Sequence, residues 1–143
     1  MSKILVLNGP NLNMLGERNP DHYGSLNLEK IQKQLEEEFP EFEFSFYQSN
    51  HEGELIDQLQ KSDEKYNGII INPGGFAHTS VAIRDALELV KIPKIEVHLS
   101  NLSNRESFRQ TSITASVCNG YISGFKKLSY LAAGYLLNKL IKS

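Results

Sequence analysis

The chain has 143 residues, 40% of them hydrophobic and 22% charged, and a formal net charge of −2. That balance suits one globular domain over residues 1–143 and excludes the strongly basic surface that nucleic acid or an anionic membrane requires, so neither is expected as a partner. The single cysteine, Cys118, excludes an internal disulfide and a cysteine-based zinc site, and it reads as a small core residue.

The first predicted strand is Lys3–Asn8. Its apolar run Ile4-Leu5-Val6-Leu7 is too short for a signal peptide or a membrane span before Asn8, Gly9 and Pro10 interrupt it, so a cytoplasmic protein is expected. The connection from Gly9 to Gly24 is long for a fold in which two to six residues are usual. It carries Glu17, Arg18, Asp21, His22 and Tyr23 between Gly16 and Gly24, and reads as a lid over residues 9–24 with His22 solvated.

Leu28, Ile31, Leu35 and Phe39 recur at helical spacing and predict a helix over Asn27–Phe39. A strand over Glu43–Gln48 precedes a helix over Glu52–Lys65, marked by Leu55, Ile56 and Leu59. Next come a strand over Gly68–Asn72 and a helix over Ser80–Val90 with Val81, Ile83, Ala86, Leu87 and Val90, which the Ser80 hydroxyl is placed to cap. A strand over Lys94–His98 and a fifth over Gly120–Gly124 lead to a last helix, Lys127–Ile141, patterned by Leu128, Leu131, Ala132, Tyr135, Leu136 and Leu140. Strands that are nearly continuous apolar runs, alternating with helices, predict an α/β sandwich: a parallel sheet covered on both faces.

In such a sheet ligands bind beyond the carboxyl ends of the strands, where strand order reverses. The first strand ends in Asn8-Gly9-Pro10-Asn11-Leu12-Asn13, the third in Asn72-Pro73-Gly74-Gly75-Phe76-Ala77-His78, and the fourth in His98-Leu99-Ser100. Amides, hydroxyls and imidazoles with few charges suit a neutral, hydroxyl-rich ligand better than a nucleotide. Alternation places Glu96 and His98 on one side of the fourth strand. A carboxylate beside an imidazole fixes its tautomer for proton transfer, and a buried strand has little packing reason to carry both. The plainer alternative is that Glu96 only satisfies a structural histidine.

No Gly-x-Gly-x-x-Gly and no Gly-Lys-Ser/Thr motif follows the first strand, which removes dinucleotide and P-loop chemistry. A phospho-acceptor module needs an acidic pair where Asn8 and Gly9 stand. His51 and His78 lack a nearby cluster of ligating residues, so no metal site is expected.

Taken together, Leu7-Asn8-Gly9-Pro10-Asn11-Leu12-Asn13-Met14-Leu15-Gly16, Tyr23-Gly24, Gln48-Ser49-Asn50-His51-Glu52-Gly53, Asn72-Pro73-Gly74, His78-Thr79-Ser80-Val81-Ala82-Ile83-Arg84-Asp85-Ala86 and Glu96-Val97-His98-Leu99-Ser100-Asn101 resemble the type II 3-dehydroquinate dehydratases. The likeness runs in order from residue 3 to about residue 124, and Gln110-Thr111-Ser112-Ile113-Thr114 departs from the usual pattern.

The resemblance implies a flavodoxin-like three-layer sandwich with a five-stranded parallel sheet. It also implies anti dehydration of 3-dehydroquinate to 3-dehydroshikimate through an enolate, a shikimate-pathway step towards aromatic amino acids that uses no metal or cofactor. A dodecamer built of trimers is the implied assembly. Within it, Tyr23 removes the proton beside the ketone with Arg18 close by, Asn11 stabilises the enolate through a bound water, and His98, oriented by Glu96, protonates the leaving hydroxyl. Ionising a phenol of ordinary pKa ~10 at neutral pH costs ~4 kcal/mol, and an adjacent guanidinium recovers ~1–3 pKa units of that.

The same likeness assigns the substrate carboxylate to the Leu99 and Ser100 amides and the Ser100 hydroxyl, and the ring hydroxyls to Asn72, His78 and Arg109. Arg105 helps close the site, and Asp85 reaches the site of a neighbouring subunit. Asn50-His51-Glu52-Gly53 marks the family without a derivable chemistry.

The sequence leaves two rival readings. One is a non-catalytic small-molecule binding module on the same fold, which needs no paired acid and base. The other is a lysine-dependent dehydratase, which needs a lysine on a barrel strand, whereas the lysines here sit at strand starts or on helices.

Overall fold

A computed structural model describes residues 1–17, 21 and 27–143. Five strands form one parallel sheet: β1 (Ser2–Asn8), β2 (Phe42–Gln48), β3 (Gly68–Asn72), β4 (Lys94–His98) and β5 (Gly120–Ser123), in the order β2-β1-β3-β4-β5. The chain steps outward from β1 to β2, then returns past β1 and builds the other half. Strand order therefore reverses between β1 and β3, the flavodoxin-like arrangement.

Among the described residues, four helices of two turns or more cover the sheet: α1 (Leu28–Glu38), α2 (Glu52–Lys65), α3 (Val81–Leu89) and α4 (Lys127–Lys142). Period-two alternation sorts the strand residues between two cores. Ile4, Val6, Ile70, Ile95 and Val97 pack with Ile31 and Leu35 of α1 and Tyr130, Ala133 and Leu137 of α4. Leu5, Leu7, Ile69 and Ile71 pack with Leu55 and Leu59 of α2 and Ile83 and Leu87 of α3. Full burial of such side chains contributes ~1.5–3 kcal/mol each, which holds helices whose own propensity is modest.

The predicted elements all form, with end corrections that have local causes. Asn27 and Ser80 lie outside their helices as caps: Asn27 Oδ1 accepts the Lys30 N–H at 2.9 Å and Ser80 Oγ the Ile83 N–H at 2.9 Å. Gly124, at φ 104°, ends β5 one residue early. Edge strand β2 is not a continuous apolar run. Phe42, Phe44 and Phe46 share one face with ring centroids 5.5–5.7 Å apart, and Glu43 is exposed between the first two.

A one-turn helix, Phe76–Thr79, and the 3-10 turns at Leu102–Asn104, Ser107–Arg109 and Ala115–Val117 have no periodic signature. Of the stretch read as a lid, residues 12–17 form 3-10 turns whose Leu12 and Leu15 are buried in the core beside α1. The rest of the stretch read as a lid, from Arg18 to Gly24, lies outside the described residues except for Asp21. Among the described residues, no helix is long and apolar enough to cross a membrane.

Candidate active site

At the strand-order reversal two turns interlock. The Gly9 N–H donates to the Asn72 carbonyl at 2.7 Å, and a Cβ on Gly9 would stand 2.5 Å from the Pro73 oxygen, so only glycine fits. Gly74 sits at φ 60° and donates its N–H to Asn72 Oδ1 at 3.1 Å. Below them, Tyr130 of α4 is 0% exposed; its hydroxyl donates to Asn8 Oδ1 at 2.6 Å and accepts from Asn72 Nδ2 at 3.0 Å. Burial raises the Tyr130 phenol well above its ordinary range, partly offset by the Asn72 hydrogen bond, so it stays a neutral link between two strand ends.

At the end of β4, Ile95 and Val97 face the α1/α4 core, which turns Glu96 and His98 together to the opposite face. His98 Nε2 lies 2.7 Å from Glu96 Oε2. A carboxylate only accepts, so Nε2 carries the hydrogen and Nδ1 is the nitrogen left for a ligand. Glu96 is 0% exposed and takes two further donors: Ser112 Oγ at 2.6 Å on Oε2, and Thr114 Oγ1 on Oε1. Three donors compensate a charge that would otherwise be costly to bury. Ser112 is fixed in turn by the Ala115 N–H at 3.1 Å.

A cleft opens over both arrangements. Asn11, Asn72, His78, His98, Leu99 and Ser100 line it, with Arg105 and Arg109 at one side. The His78 ring stacks on the His98 ring at 6.1 Å between centroids. His78 Nδ1 lies 2.8 Å from the Thr111 carbonyl, which can only accept, so Nδ1 donates and Nε2 is left over. Arg105 Nη1 donates to Ser100 Oγ at 3.1 Å. Glu106 faces Arg109 Nε at 3.1 Å and Arg105 Nε at 3.4 Å. The Glu106 backbone N–H, followed by the two guanidinium groups, holds its carboxyl below the usual range. Among the described residues, two guanidinium groups gather around the one carboxylate of Glu106, which makes this side of the cleft suited to an anionic group.

The structure thus brings together Asn11, Asn72, His78, His98, Leu99, Ser100, Arg105 and Arg109, with Glu96 directly behind His98. Asp85 does not line this cleft; it lies on α3, its side chain 61% exposed and paired with Arg84 at 2.9 Å. Arg18 and Tyr23 lie outside the described residues. Sequence reasoning missed Ser112, Thr114 and Tyr130, and placed Asn8 at a strand end without a role. Only the hydroxyls two residues apart at 112 and 114, in a segment with no helical pattern, offered a signal. Among the described residues, no three His, Cys, Asp or Glu side chains are grouped to hold a metal ion.

The sequence model of the family Dehydroquinase class II matches residues 2–137. The chain is 51% identical over 141 residues to the 3-dehydroquinate dehydratase of Thermotoga petrophila, covering 96% of each chain. It is 46% identical over 145 residues to that of Clostridium botulinum strain Hall, covering 99% of each. The solved type II dehydroquinase of Butyrivibrio crossotus superimposes with a TM-score of 0.93 at 48% identity, over 96% of this chain and 97% of that one.

Proposed function

This chain belongs to the class II dehydroquinases and is a 3-dehydroquinate dehydratase, forming 3-dehydroshikimate, and we propose that it works with a tyrosine base and a histidine acid on opposite faces of the ring. Tyr23, beside Arg18, takes the proton next to the ketone and an enolate forms. The enolate then expels the β-hydroxyl, which leaves as water with a proton from His98 Nδ1. The buried Glu96–His98 contact of 2.7 Å at the floor of a polar cleft carries this reading. Nε2 is committed to the carboxylate, so Nδ1 is the atom that accepts and delivers a proton.

Asn11 is the donor for the enolate oxygen, acting through a bound water. The substrate carboxylate rests on the Leu99 and Ser100 amides with the Ser100 hydroxyl, beside the guanidinium groups of Arg105 and Arg109. His78 and Arg109 hold ring hydroxyls. Asn72 does so through the second hydrogen of an amide whose other contacts, to Tyr130 and Gly74, fix its plane. Asp85 acts at a neighbouring subunit's site in a dodecamer of trimers, a soluble cytoplasmic assembly serving aromatic biosynthesis.

The test is formation of the conjugated enone from 3-dehydroquinate, followed by its ultraviolet absorbance, with and without borohydride pretreatment in the presence of substrate. The expected result is turnover that borohydride does not abolish. An absence of product overturns the lyase reading in favour of a binding module, and inactivation by borohydride replaces it with a Schiff-base route.

A further inference from the structure

Asn50 belongs to a segment that marks the family likeness yet lines no part of the cleft. Its surroundings give it a task. Asn11 sits at φ 69°, and among the described residues it shares a positive φ with only one other non-glycine residue, Lys126. That conformation is unfavourable for most L-residues and less so for asparagine, and it persists as a single state where neighbours hold it. The Asn11 carbonyl is engaged by the Met14 N–H at 3.0 Å, within the 3-10 turn that buries Leu12 and Leu15. The Asn11 N–H donates to Asn50 Oδ1 at 3.0 Å, across 39 residues of sequence.

Gln48 secures the same contact from the end of β2. Its Nε2 donates to Asn50 Oδ1 at 3.2 Å, to the Gly9 carbonyl at 3.1 Å and towards Asn13 Oδ1 at 3.4 Å. One amide thus grips both the residue before Pro10 and the acceptor that holds the residue after it. The segment is itself rooted. The Ser49 N–H donates to the Asn8 carbonyl at 3.0 Å, the His51 N–H to Ser49 Oγ at 2.9 Å, and Ser80, the cap of α3, donates to Glu52 Oε2.

From this geometry we infer that Asn50, backed by Gln48, is a positioning residue that locks Asn11 in its left-handed conformation and so aims the Asn11 side chain into the cleft. The inference rests on the proposed role of Asn11 at the enolate. An Asn11 released to negative φ points its Cα–Cβ bond elsewhere, and misplacement of a reacting-site group by ~1 Å costs on the order of 10²-fold in rate.

The experiment compares wild type, Asn50→Ala and Asn50→Asp for kcat, KM and thermal midpoint, together with crystal structures of wild type and Asn50→Ala. Asn50→Ala is expected to lose about tenfold or more in kcat with KM within about threefold, while Asn50→Asp, which keeps an acceptor oxygen, restores most of the rate. In the Asn50→Ala crystal structure Asn11 leaves positive φ. An Asn50→Ala enzyme with wild-type kcat, or with Asn11 unmoved at positive φ, overturns the inference. If the wild type forms no enone, the functional reading fails on its own, and the Asn11 conformation still decides what Asn50 does.

Discussion

The two sides of the cleft solve different physical problems. On the β1/β3 side the buried link is made of neutral groups: Asn8, Asn72 and Tyr130 share hydrogen bonds at 2.6 and 3.0 Å, under backbone turns so close that Gly9 accepts no Cβ. On the β4 side a carboxylate with no exposed surface is surrounded by an imidazole and two hydroxyls. The first arrangement fixes shape, and its groups lose little by being buried because each has a partner. The second keeps a charge out of water so that one imidazole nitrogen stays committed while the other is free to exchange a proton. Damage to the Asn8–Tyr130–Asn72 link should therefore register mainly as stability, and damage to the Glu96–His98 pair mainly as rate.

The sharpest break of that comparison is His98→Ala, expected to lower kcat on 3-dehydroquinate by ~10²–10⁴-fold, the usual worth of a positioned acid. Steady-state assay at saturating substrate measures it, and a loss under tenfold removes the acid role from β4.

Next in size is Tyr130→Phe, which leaves the buried amides of Asn8 and Asn72 each short of a partner. It should lower unfolding free energy by ~1–3 kcal/mol in urea, with a smaller loss of kcat than His98→Ala. A variant with an unmoved urea midpoint but a rate as poor as His98→Ala would erase the distinction between the two sides.

The effect that is smallest at neutral pH concerns Cys118, close behind the charged side. Burial first, and then the Glu96 carboxylate, pushes its thiol up to about 12. The folded state therefore holds this proton more tightly than the unfolded chain. Its contribution is complete below the ordinary thiol value of ~8.5 and is lost as pH climbs towards 12. Urea unfolding from pH 9 to 11 should show wild-type stability falling faster than that of Cys118→Ser by ~1.4 kcal/mol per pH unit, with no difference at pH 7. Equal slopes would show that the thiol titrates normally.

How far the sequence was legible follows the same division. Strands such as Ile69-Ile70-Ile71 and helices such as α2 announce themselves through periodicity, because burial acts on every second or every third and fourth residue. Glu96 and His98 were readable because two titratable groups in an apolar strand demand an explanation within two residues of sequence. Ser112, Thr114 and Tyr130 were not: a hydroxyl carries no periodic mark, and its partner lies 16, 18 or 122 residues away. The Asn50 contact to Asn11 was hidden for the same reason. The motif was conspicuous, but its acceptor oxygen serves a backbone N–H whose need arises only from a left-handed φ.

Tyr130 has one more consequence, for the order in which the chain is made. Residues emerge from the ribosome in sequence order, so β1, β3 and β4 are all available before the groups that complete their ends. A nascent chain released only as far as Arg109 presents Glu96 without its two hydroxyl donors, and Asn8 and Asn72 without the phenol that joins them. Synthesis of the segment from residue 110 onwards is thus the step that closes both halves of the pocket, and truncated translation products should be inert as well as loosely folded.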